Sequence, residues 1–257
     1  MNLVKLICVT LFCLFFSCEK TIEQPDSSPP SSQEKSYSID SDGNIVQTDI
    51  QISDFSSAEE CMSCHEQHYE EWSSSFHANS FNDPIFMEMW VSERNHRPTT
   101  GVNFCIQCHA PAAFVSDWYE INNINQISDL ESMDIPKIVK EGVSCDICHT
   151  MVEQSHSVFT QDNIAASAMY HINPGEGVRY GSIENPDTNS YHESTFLPMY
   201  QSSFSCKPCH NQFIRGMPIE ATISEWEDNA GLNMGGESCQ DCHMQKQSDG
   251  HSSHYFA

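Results

Sequence analysis

Cys61-Met-Ser-Cys64-His65, Cys105-Ile-Gln-Cys108-His109, Cys145-Asp-Ile-Cys148-His149, Cys206-Lys-Pro-Cys209-His210 and Cys239-Gln-Asp-Cys242-His243 are copies of one pattern, Cys-x-x-Cys-His. Together they use every cysteine beyond position 18. Two cysteines three positions apart lie on one face of a helical turn. They can therefore bond the two vinyl groups of one porphyrin, and the next residue sets an imidazole beneath the iron. The pattern predicts five c-type haems, each held by a cysteine pair. The predicted proximal iron ligands are His65, His109, His149, His210 and His243. Zinc knuckles also use Cys-x-x-Cys pairs, and exported chains use disulfides. Neither accounts for a histidine after every pair, and five pairs do not group two by two into four-cysteine sites.

The interval from each motif histidine to the next motif is short, at 40, 36, 57 and 29 positions. None is long enough to build a core of its own. Hydrophobic residues make up 39% of the 257, a modest share that haems would supplement. The expected fold is mainly α with long irregular loops and little or no β-sheet, wrapped around five stacked haems. Ser57-Ala-Glu-Glu60 resembles a capping box, and a helix is expected from Glu66 to about Asn79. Asp83-Pro84 opens a helix over Ile85 to Glu93. Ile135 to Glu141 reads as a third, stopped by Gly142, and Ile223 to Asp228 as a fourth. Asn173 to Pro198, rich in Pro, Gly, Asn and Asp, reads as a long loop. Trp72 and Trp226 are open between porphyrin contact and ordinary core packing.

Residues 1–17 read as a signal peptide, with Lys5 ahead of the apolar run Leu6 to Phe16. Ser17-Cys18 resembles a lipoprotein cleavage site, which makes Cys18 the expected lipidation site. Residues 18–55 form a Pro/Ser-rich tether, and 56–257 the pentahaem domain. The expected address is an exported lipoprotein, periplasmic or at the cell surface, on the outer membrane. The formal charge is −25, from 36 acids and 11 bases. That balance argues against a nucleic-acid partner and suits a basic or membrane-bound redox donor.

Eight histidines remain beyond the motifs: His68, His77, His96, His156, His171, His192, His251 and His254. If the first helix is continuous, His77 lies about 18 Å along the axis from His65 and must serve a neighbouring iron. His68 is one turn from His65, on the same side of that haem. His77 and His192, then His254, are the leading candidates for second ligands. His96, His156 and His171 are secondary, and His68 and His251 are set aside.

The stretch Cys61 to His77, with Trp72 five positions before His77, resembles the opening of the bacterial cytochrome c-554 family. Glu141-Gly-Val-Ser-Cys145, Arg179-Tyr-Gly181, His192, Ser224-Glu-Trp226 and Cys239-Gln-Asp-Cys-His-Met244 follow in that family's order. The resemblance spans Cys61 to Ala257. It implies electron transfer through closely packed, mostly bis-histidine haems, with His77 and His192 as distal ligands. Related chains carry His-x-Phe-x-Gly after the last motif, and here His254-Tyr-Phe-Ala257 stands in its place. An electron carrier is the leading expectation. The alternative is an oxidoreductase acting on nitrite, hydroxylamine or tetrathionate at one open haem, assisted by Arg94, His96 and Arg97 or by Arg179 and Tyr180. No Cys-x-x-Cys-Lys motif is present.

Overall fold

The computed structural model describes residues 37–39, 45–47, 50–96, 101–118, 124–154, 170–175, 177–214, 217–230 and 236–256. The leader, Cys18, most of the tether, Arg97, His156 and Ala257 lie outside these residues.

The chain folds as short helices joined by irregular segments. Four two-stranded ribbons are the only sheets among the described residues. The fold class is as expected, but several local elements differ. The expected helix over Glu66 to Asn79 is two helices, Glu66–Ser73 and Phe76–Asn79. Ser75 breaks it: its backbone is extended and its hydroxyl accepts from Ala78 N at 3.4 Å, capping the second piece. The bend turns His77 off the axis of the helix that begins at Glu66.

The helix over Ala58–Met62 is not capped by the Ser57 side chain. Two carboxylates from the third motif region serve instead. Glu141 accepts from Ala58 N at 2.9 Å and Asp146 from Ser56 N at 2.7 Å. A distant buried acceptor satisfies the free N–H groups of this helix start as well as a local hydroxyl would.

Pro84–His96 begins at its proline, and Asp83 accepts from Phe86 N at 2.8 Å. It packs on Gly101–His109, which carries the second motif. The helix before Gly142 is only Lys137–Lys140. Gly142 has φ +60°, and a Cβ there would meet the Ser80 hydroxyl at 2.2 Å and the His77 carbonyl at 2.7 Å. Thr222–Glu225 runs on into a π-turn, Trp226–Ala230. The expected loop over Asn173 to Pro198 contains a parallel ribbon, Val178–Gly181 with Glu193–Phe196. Strand pairing across an intervening loop leaves no short-range signature, so the turn-rich composition hid it.

The core gathers around Phe81, Phe86, Trp90, Ile106, Phe114 and Val139, with Tyr170 and Ile172 closing it from a ribbon strand. A smaller cluster holds Ala58, Trp72 and Ala78. Trp72 is an ordinary core residue of that cluster, and its Nε1–H donates to Val143 O at 2.8 Å. Trp226 is half-buried. No helix among the described residues is long and apolar enough to cross a membrane.

Candidate haem sites

Each motif lies in a helical turn or runs off its end, with the five histidines at or beyond that end: Ala58–Met62, Gly101–His109, Cys145–His149, the 3-10 turn Ser203–Cys206, and Cys239–His243. None of the ten motif cysteines is joined in a disulfide. Among the described residues, no three His, Cys, Asp or Glu side chains converge to hold a metal ion, so the zinc reading has no site there.

The histidine rings supply a test of fit to haem. A ligating imidazole nitrogen sits about 2.0 Å from its metal and about 1.1 Å from its ring centroid, so two rings trans on one metal are about 6.2 Å apart. His65 and His192 are 6.3 Å apart, His77 and His210 6.1 Å, and His149 and His254 6.3 Å. In each pair a motif histidine faces one of the three leading candidates. The pairing follows neither chain order nor sequence proximity.

Ring protonation fits the same chemistry. A carbonyl only accepts, so a ring nitrogen beside one carries the proton and leaves the other nitrogen's lone pair free. His149 Nδ1 lies 2.7 Å from Tyr180 O, His109 Nδ1 2.9 Å from Ser80 O, His254 Nδ1 2.8 Å from Ser252 O, and His192 Nδ1 3.1 Å from Glu193 O. Such second partners orient metal-binding imidazoles. Nδ1 of His77 is buried with no hydrogen-bond partner, the kind of atom a bound metal satisfies. Burial, with repulsion from His210, holds the His77 ring down at about 4. Burial, with repulsion from His149, does the same for His254. Both are neutral, ligand-competent rings at pH 7.

Apolar side chains left bare by the polypeptide mark where porphyrin would lie. Each candidate second ligand adjoins one in sequence: Phe76 beside His77 is 95% exposed, Tyr191 beside His192 82%, and Tyr255 beside His254 53%. Large exposed aromatics flanking buried or half-buried imidazoles are the expected lining of a cofactor surface. That adjacency was readable in the sequence. Phe256 was not: its ring meets His77 at 4.5 Å and His254 at 5.7 Å, wedging the chain end between two ligand pairs.

His109 differs. Among the described residues, no second imidazole makes ring contact with it. Phe86 stacks on its face at 4.2 Å and 7°. His96, at the end of Pro84–His96, turns its Nδ1 to Ser92 O at 2.7 Å. His171 lies on the strand Tyr170–Ile172.

His68 and His251 sit among the ligand pairs without joining one. His68 meets His65, His251 and His254 edge-on. Both nitrogens of His251 face carboxylates, Nδ1 at 2.6 Å from Asp249 and Nε2 at 3.1 Å from Glu71. Those bonds, Asp249's first, raise its value above that of a free ring. Burial alone would raise Glu71. Hydrogen bonds from His254 N, His251 and Gln67 outweigh it and keep the carboxyl below its usual range. Arg179 is committed as well: its guanidinium pairs with the fully buried Asp146 at 2.7 Å and lies 3.4 Å from the Ser56 hydroxyl.

Motifs and ring geometry fit c-type haem, and the fold is like that of a multihaem c-type cytochrome. Residues 60–150 match the family of cytochrome c554 and c-prime. In fold the chain is similar to a penta-heme cytochrome c552 from Thermochromatium tepidum, with a TM-score of 0.59 and 22% identity. The match covers 81% of this chain and 58% of that one, so this chain corresponds to little more than half of that structure. No curated protein sequence matches.

Proposed function

We propose that this chain is an exported electron carrier holding five c-type haems at its five Cys-x-x-Cys-His motifs. In this reading His192, His77 and His254 are the second ligands of the irons on His65, His210 and His149. The three ring spacings near 6.2 Å carry it. Bound haem supplies an iron that cycles between two oxidation states. The polypeptide supplies imidazoles, four of them aimed by backbone carbonyls, and exposed aromatic side chains beside the second ligands. Cys18 carries a lipid and the Pro/Ser-rich segment ahead of the buried Ile50 serves as a tether, which keeps the domain near the outer membrane within reach of a basic or membrane-bound donor. Intact mass and low-temperature EPR of the purified holoprotein test this. Five haems, with most of the iron low-spin, are expected. Fewer haems, or mainly high-spin iron, would overturn it.

One observation favours a second reading, reduction of nitrite, hydroxylamine or tetrathionate at one haem: His109 faces no second imidazole among the described residues. Arg179 is not available to such a substrate, being paired with Asp146. Turnover of those compounds with a viologen donor, abolished by Cys105→Ala with Cys108→Ala, would support this reading. Lack of turnover would sink it.

A further inference from the structure

The helix Glu66–Ser73, just after the first motif, carries two adjacent buried side chains, Glu71 and Trp72. Neighbours on a helix point about 100° apart, so the two reach different segments. Trp72 Nε1–H donates to Val143 O at 2.8 Å, just ahead of the third motif. Glu71 reaches the last described residues of the chain. Its Oε2 accepts from His254 N at 2.7 Å. Its Oε1 lies 3.1 Å from His251 Nε2 and 3.4 Å from the Gln67 amide.

The segment that Glu71 holds is built as a unit. After the fifth motif the chain doubles back. Ser253 N donates to Gln245 O at 3.0 Å, Gln247 N donates to His251 O at 2.9 Å, and Gly250, at φ +93°, makes the turn. At the end of this hairpin the His254 ring is aimed by its own backbone, with Nδ1 2.8 Å from Ser252 O. His251 is fastened within it, Nδ1 lying 2.6 Å from Asp249. The hairpin thus fixes how the ring points relative to the tail, but not where the tail lies. A buried carboxylate can fix that. Its charge-assisted hydrogen bonds are about twice as strong as neutral ones, and left without donors it is costly to bury. His68, on the same helix, adds an edge-on contact to the His254 ring at 4.8 Å.

We infer that Glu71 is the positioning residue for the second ligand of the His149 iron. With Trp72 it sets the span between the two imidazoles, 6.3 Å from ring to ring. Trp72 holds the entry to the motif that carries His149, and Glu71 holds His254 N. This rests on the reading of His254 as that ligand. Its consequence is that ligation at the third motif depends on a carboxylate beside the first, far in sequence from both imidazoles.

The test uses holoprotein, with the haems of every variant counted by intact mass. His254→Ala first identifies, by low-temperature EPR, the low-spin signal of the iron it serves. Glu71→Ala is expected to lose that same signal in whole or in part. Glu71→Gln, which keeps an acceptor for His254 N, is expected to restore it. Haem-resolved NMR redox titration should show that iron's midpoint moving in Glu71→Ala and returning towards the parent value in Glu71→Gln. A carboxylate that merely stabilises the fold would lower the melting temperature of Glu71→Ala and leave every signal and midpoint in place, which overturns the inference. A change at another iron with this one intact overturns it too. Should Glu71→Ala fail to fold, Glu71→Asp keeps the charge and draws the acceptor back by one methylene. The same signal is then expected to weaken, and parent spectra from Glu71→Asp overturn the inference. If His254→Ala itself leaves every low-spin signal unchanged, the ligand reading fails instead.

Discussion

Replacing His192 by alanine isolates one iron. The ring stands 6.3 Å from His65, against about 6.2 Å for two imidazoles trans on one metal. It is the simplest of the three pairs to cut, because the backbone around it is held independently. His192 N donates to the Asn189 side chain at 3.0 Å, and Glu193–Phe196 stays paired with Val178–Gly181. The side chain itself makes one hydrogen bond to a carbonyl, Nδ1 to Glu193 O at 3.1 Å. Its loss costs about 0.5–1.5 kcal/mol, too little to unfold a typical domain. The holoprotein should therefore assemble with its haem count unchanged. One iron's share of the low-spin EPR intensity should move to high-spin as that iron loses its sixth ligand. His192→Met should restore a low-spin iron at a raised potential, since His/Met ligation favours the reduced state. His96→Ala serves as the control and should change nothing in the spectrum. An unchanged low-spin intensity in His192→Ala, with all haems present by mass, would refute the ring-spacing argument for this pair.

Other consequences are equally specific. Gly142→Ala forces a side chain into left-handed backbone against Ser80 and the His77 carbonyl. A loss of about 1–3 kcal/mol in thermal unfolding is expected, together with a disturbed low-spin spectrum. Arg179→Met leaves Asp146 buried without its cation and should cost about 3–5 kcal/mol by denaturant titration, whereas Arg179→Lys should recover part of that. His77 and His254 fold with values held at about 4, against 6.5 for a free ring. The neutral rings' stabilisation is therefore complete above pH 6.5 and is lost as pH falls towards 4. Acid titration followed by visible spectra should show low-spin iron persisting well below pH 6. Cys18→Ala should release the protein from membranes into the soluble fraction, which fractionation and immunoblotting read directly.

Much of the site was legible along the chain because covalent haem attachment is local chemistry. Five residues in a row are enough to state it, and each motif histidine is in place once its turn forms. The second ligands were legible as candidates through their surplus and through the family resemblance, but not as pairs. Ser57 to Glu60 looked like a self-contained cap, yet the acceptors are Glu141 and Asp146, more than eighty residues on. The helix expected to run to Asn79 stops because Ser75 is extended and its hydroxyl caps a new helix at Ala78 N. Local pattern reading has no term for either competitor.

By itself, the sequence determined the cofactor chemistry, the number of attachment motifs and the predominance of short helices with irregular joins. These depend on residues within one turn of each other. Only the tertiary structure decided that His65 meets His192, His77 meets His210 and His149 meets His254. It also decided that, among the described residues, His109 meets a phenylalanine instead of an imidazole. Such pairings are set by where Gly142, Ser80 and the Val178–Gly181 ribbon bring distant segments together. A ligand's partner is therefore a property of packing, which no spacing along the chain encodes.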